Sequence, residues 1–112
     1  MPDQPAIRVL FRFHLGLPFR QASEEERKKV GELMRETFQE WKSSGIKLIG
    51  TFGSPAHVDG FATYMIFEVD DFSKVGKMDQ GFFRGEVGKF IEDFQVHVGI
   101  ARTFIEDMWK PS

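Results

Sequence analysis

The sequence predicts an α+β domain with the element order β-α-β-β-α-β, its four strands in one antiparallel sheet with both helices on one face. Three observations carry this. Residues 6–16 alternate strictly, with Ile7, Val9, Phe11, Phe13 and Leu15 on one side. Residues 23–45 hold a capped stripe of apolar residues at steps of three and four. Three further alternating stretches follow, the last two separated by a second helical pattern. Right-handed crossovers in this order set the first strand between the third and the fourth.

The first strand, residues 6–16, places Arg8, Leu10, Arg12 and His14 opposite its apolar side. Residues 17–22 form a connection around Pro18. Ser23-Glu24-Glu25-Glu26 then reads as a capping box, and its acidic residues suit the positive end of a helix dipole. Val30, Leu33, Met34, Thr37, Phe38 and Trp41 make the buried stripe, and Gly45 stands where a left-handed C-terminal cap belongs.

The second strand is expected over residues 46–53, with Ile46, Leu48 and Phe52 on the core side and Ile49 on the other. Residues 54–60, which include His57, read as an exposed loop with an Asp59-Gly60 turn. The third strand, residues 61–69, puts Phe61, Met65, Phe67 and Val69 inward and Ala62, Tyr64, Ile66 and Glu68 outward. Asp71 or Ser73 caps a second helix, which Gly76, Gly81, Gly85 and Gly88 are expected to break. The fourth strand spans residues 94–104, and residues 105–112 form a tail.

At 112 residues the chain is the size of one domain, and residues 1–112 are taken as one. With no cysteine, disulfide scaffolds, Cys-ligated metals and thiol nucleophiles are excluded. No apolar run approaches a membrane span and the first residues carry no signal-peptide pattern, so a cytoplasmic protein that does not engage membranes is expected. The net charge of −2 argues against a phosphate-coating surface. Residues 59–67 faintly resemble a strand of RNA-recognition motifs, but Thr63 stands where that motif has an aromatic residue. No nucleic-acid partner is expected.

Two helices on one side leave the other sheet face bare. That face mixes Leu10, Ile49, Ile66 and Ala62 with Arg8, Arg12, His14, Tyr64, Glu68, Gln95 and His97. It is too apolar for open water and too polar for a dry core, and a second copy's sheet satisfies both demands. In the functional reading, Arg12 holds an oxygen, His97 or His14 moves a proton, and Tyr64, Arg8, Glu68 and Gln95 contact the ligand. In the other reading, these groups satisfy one another at a wet interface. The histidine spacing supplies no metal motif, and no cofactor is expected.

The element order, the length and the run Glu68-Val69-Asp70-Asp71-Phe72 leading the third strand into a helix resemble the dimeric α+β barrel superfamily of ferredoxin-like domains. This group includes relatives of muconolactone isomerase, YCII and antibiotic-biosynthesis monooxygenase proteins. The resemblance implies a homodimer with ligand space between two sheets. Its members include isomerases, cofactor-free oxygenases and ligand sensors, so a small-molecule enzyme, a non-catalytic binding module and a structural oligomerisation domain all stay open.

Overall fold

A computed structural model describes the backbone of residues 5–57 and 60–111, and the side chains of these except 56, 57, 60 and 61. The chain runs β1 (Ile7–Leu15), α1 (Leu17–Gln21), α2 (Glu24–Ser43), β2 (Lys47–His57), β3 (Gly60–Val69), α3 (Phe72–Phe82), a 3-10 turn (Val87–Phe90), β4 (Ile91–Ile100) and α4 (Phe104–Trp109). The sheet order is β2-β3-β1-β4, every neighbouring pair antiparallel. The α+β class and the central first strand are as expected. Among the described residues no helix is long and apolar enough to cross a membrane.

Local chemistry sets the helix ends. The Glu26 amide donates to Ser23 Oγ at 3.1 Å while Glu26 Oε1 accepts from the Ser23 amide at 3.3 Å, closing the capping box at the start of α2. At the other end Gly45 has φ +91°, and the Ile46 amide returns to the Trp41 carbonyl at 3.1 Å. Asp71 caps α3 by accepting from the Ser73 amide at 2.8 Å. That bond holds the Asp71 carboxyl below the ordinary carboxylate range, because it favours the charged form.

The core lies between the helices and the odd-numbered face of β1. Phe11 meets Phe67 with ring centres 5.4 Å apart, Trp41 at 5.9 Å and Phe83 at 4.9 Å. Phe82 in turn touches Phe13, Phe38 and Trp41 at 5.1, 5.6 and 5.9 Å. Most of these pairs are edge-on or tilted, the geometry that ring quadrupoles favour. Ile7, Val9, Val30, Ile46, Met65, Val69, Met78 and Val87 are buried with them.

Several boundaries differ from the sequence expectation, each for a local reason. The connection around Pro18 contains α1, because proline in the first turn has no amide to waste there. Strand β2 runs on to His57, paired with Gly60, so the expected loop is mostly hairpin arm; Val58 and Asp59 lie outside the described residues. The Phe61 side chain, expected in the core, also lies outside them. A register irregularity between Leu48 and Gly50 turns Phe52 away from the core, and it is 53 % exposed. Strand β4 begins at Ile91 rather than 94, and the tail contains α4.

The second helix stops at Phe82, as its glycines foretold. Within the segment 81–85, Phe82 and Phe83 are buried and packed among the core rings. Gly88 shows why the chain can turn so tightly here, since a Cβ at that position would run into the Phe83 carbonyl.

Gly88→Ala is expected to destabilise the fold by about 1–3 kcal/mol, read as a lowered urea midpoint with an unchanged slope. Asp71 contributes stability above the ordinary carboxylate pKa and loses it as pH falls through its depressed value. Asp71→Asn should therefore flatten the acid side of the stability–pH curve; an unchanged acid limb in thermal melts contradicts this.

Candidate functional site

The antiparallel register writes the uncovered face as three rows across the sheet. Phe52, Tyr64, Arg12 and Gln95 form the first; Gly50, Ile66, Leu10 and His97 the second; Lys47, Glu68, Arg8 and Gly99 the third. Because alternation fixes the facing of each strand, Arg8, Leu10 and Arg12 reach this face through the same geometry that buries Val9 and Phe11. The middle row is its apolar centre, a shallow depression of about 340 Å³ floored by Leu10, Ile66 and Gly99.

The first row holds the densest chemistry. Tyr64 stacks on Phe52 with ring centres 4.5 Å apart and planes within 5°. Beside it the Arg12 guanidinium grips Asp93 with both terminal nitrogens, Nη2 to Oδ1 at 3.1 Å and Nη1 to Oδ2 at 3.3 Å. Asp93 is the extra residue of the β4 bulge opposite Phe13 and His14, with φ +52°. Asp is one of the few residue types that accept this left-handed geometry, and the bulge aims its carboxylate at Arg12. On the same strand His97 Nε2 lies 3.2 Å from Gln95 Oε1.

The third row is an ion network. Arg8 Nη1 donates to Glu106 Oε1 at 3.0 Å, and Arg8 Nε lies 3.7 Å from Glu68 Oε1. The hydrogen bond to Glu106, then the two carboxylate charges, raise the Arg8 pKa above its ordinary value. Arg8 and Glu68 thus pair across the sheet as their positions indicated, with Glu106 from α4 as a third member.

The structure gathers Arg12, Tyr64, Gln95 and His97 into one patch, with Arg8 and Glu68 along its border. It does not bring His14 to His97. His97 faces Leu10, four residues along β1 from His14, and His14 is only 3 % exposed beside the bulge. Of the two histidines expected on this face as alternative proton-moving groups, His97 is presented to it and His14 is enclosed. Arg12 is likewise not a free guanidinium, since Asp93 occupies its fork. Among the described residues no three His, Asp or Glu side chains are grouped to hold a metal ion.

Sequence reasoning missed Phe52, Asp93 and Glu106. Phe52 was hidden by the β2 irregularity and Glu106 by its place in an apparent tail. An Asp able to take positive φ is the one local signal that pointed to Asp93. A larger concavity lies elsewhere, on the helix side of β2: a groove of about 610 Å³ lined by Phe38, Trp41, Leu48, Met65 and Phe67, with Lys42 and Lys47 also lining it.

Strand order, antiparallel register and helix placement define a ferredoxin-like α+β domain. No family model and no curated protein sequence matches the chain. Among solved structures it is similar to a dimeric ferredoxin-like protein from an uncultured marine organism, at 17% identity and a TM-score of 0.49 over 89% of this chain and 90% of that one. A Shewanella oneidensis protein is similar at 14% identity and a TM-score of 0.48, over 88% and 93% of the two chains.

Asp93→Asn keeps a residue that tolerates the bulge but removes the charge, whereas Asp93→Ala loses both. The alanine variant is expected to be less stable than the asparagine variant by about 1 kcal/mol in urea unfolding. Equal stabilities would show that the bulge backbone carries no strain.

Proposed function

We propose that two copies associate through their uncovered sheet faces and enclose a site for a small organic molecule between them. The observation that carries this is the composition of one continuous surface. Leu10 and Ile66 form an apolar centre, and Tyr64, Gln95 and His97 flank it with directed polar atoms, while all the long helices lie behind the sheet. Burying such a face against its own copy removes the apolar centre from water and leaves the polar row lining an enclosed space.

The row supports binding of a flat ligand bearing a carbonyl or hydroxyl. The Tyr64–Phe52 stack supplies an aromatic wall. The Tyr64 hydroxyl, the Gln95 amide and the His97 ring supply a donor and acceptor set in a space from which water is largely excluded. Arg12, neutralised by Asp93, acts as a positioning group beside Tyr64 rather than as a free anion trap. With Arg12 engaged and His14 enclosed, one proton-moving group remains, His97. This favours a binding module over an enzyme of the isomerase or cofactor-free oxygenase class, in which His97 would be the acid or base.

Sedimentation at micromolar concentration should show a dimer, and Ile66→Glu should give a monomer whose melting temperature is little changed. A wild-type monomer overturns the reading. In native mass spectrometry the purified dimer should carry a bound small molecule, and Tyr64→Ala or His97→Ala should lose that mass while staying dimeric.

A further inference from the structure

The two outer edges of the sheet are finished differently. The outer edge of β2 carries Lys47, the irregularity between Leu48 and Gly50, and Pro55. Each is a device that keeps a free strand edge from pairing with another chain. The outer edge of β4 carries none of these between Phe94 and Ile100. That stretch reads Phe-Gln-Val-His-Val-Gly-Ile, with no lysine, proline or carboxylate, and its register with β1 is unbroken.

The register also shows which backbone groups this edge offers. The Ala101 amide donates to the Ala6 carbonyl at 2.7 Å. In an antiparallel ladder the groups facing one neighbour recur at every second residue, so Gly99, His97 and Gln95 turn theirs to β1. Phe94, Val96, Val98 and Ile100 therefore turn their amides and carbonyls outward, where no strand pairs with β4. The side chains of the same four residues lie on the helix side, opposite Phe13, Phe11, Val9 and Ile7. Those β1 residues are buried, yet Phe94 is 40 %, Val98 42 % and Ile100 58 % exposed. An apolar stripe and a row of unused hydrogen-bonding groups thus share one edge.

We infer that this edge pairs antiparallel with the same edge of a second copy. Two-fold symmetry about His97 sets Phe94 opposite the partner's Ile100 and Val96 opposite the partner's Val98. Among symmetric registers, this one joins all four outward residues of both copies. Four such pairs exchange two bonds each, about eight in all. Apolar residues then meet apolar residues on the helix side, while Gln95 stands opposite the partner's Gly99 on the other. Past the paired stretch, Arg102 of each copy reaches the end where the partner's Glu92 and Asp93 stand. Arg102 has no ion pair among the described residues, so the ends match in charge as well. This agreement of hydrogen-bond phase, side-chain facing and end charge is what selects a second copy as the occupant over an unrelated strand. The contact is separate from the face-to-face association and does not rest on it. A strand edge buries less area than a stable interface, so the pair forms at higher concentration, in about the hundred-micromolar range.

The chain has no cysteine, so an introduced thiol reports the register directly. An Ile66→Glu background takes the face contact out of the measurement. In that background His97→Cys is expected to form a disulfide-linked dimer under mild oxidation at such concentrations. Residues facing each other at the two-fold lie about 4.5 Å apart between Cα atoms, within disulfide range. Gln95→Cys alone should stay monomeric, because the two copies of residue 95 stand about 13 Å apart. Mixed with Gly99→Cys, whose added Cβ meets open space, it should crosslink. Without any thiol, exchange of the Phe94, Val96, Val98 and Ile100 amides should slow roughly fivefold at ten times the dissociation constant. The Gln95, His97 and Gly99 amides should not respond. Val98→Lys alters an exposed side chain on this edge, and it should abolish both signals while leaving the melting curve unchanged.

Crosslinking of Gln95→Cys alone, failure of His97→Cys to crosslink, or exchange at the four outward amides that ignores concentration overturns the edge pairing. None of these outcomes bears on the face contact, which is judged by the micromolar masses of the wild-type and Ile66→Glu chains.

Discussion

The structure depends on the aromatic packing that ties α2 and α3 to a single face of the sheet. Phe11 at the centre of β1 touches Trp41 from α2, Phe82 from α3 and Phe67 from the neighbouring strand. Each edge-on or tilted ring pair adds about 0.5–1.5 kcal/mol beyond the area it buries. Because these rings carry no polar atom apart from the Trp41 indole nitrogen, they pack densely without demanding hydrogen-bond partners. Both long helices are thereby committed to one side. Everything distinctive about the other side follows from that commitment.

On the uncovered face, charge is managed internally before any ligand or partner arrives. Arg12 is met by Asp93 and Arg8 by Glu68 and Glu106. These pairs lie at the surface, where solvent screens them, so their larger effect is on geometry: they fix where the guanidinium groups point and keep the face near neutrality. A near-neutral face with an apolar centre associates with its own copy more readily than one bearing two unmatched cations. The same pairing means that Arg12 is not a free guanidinium on this face.

The edges of the sheet are where the chain departs from a compact form. The β2–β3 hairpin runs eleven and ten residues, and α4 stands off the end of β4 with its apolar arc outward.

The sequence by itself determined the order of the four strands and the two long helices, the capping of α2, the glycine stop at Gly45 and the side of the sheet on which Arg8, Arg12, Tyr64, Gln95 and His97 stand. Alternation and helical spacing are local properties, and a period of two or 3.6 is written directly in the residues. Only the tertiary structure decided the partners. The bulge at Asp93, the irregularity beside Ile49 that turned Phe52 onto Tyr64, the enclosure of His14 and the reach of Glu106 from α4 to Arg8 all depend on how distant strands register. Register is set by the fit of whole faces, so a single inserted residue changes what stands beside what while leaving the local pattern intact.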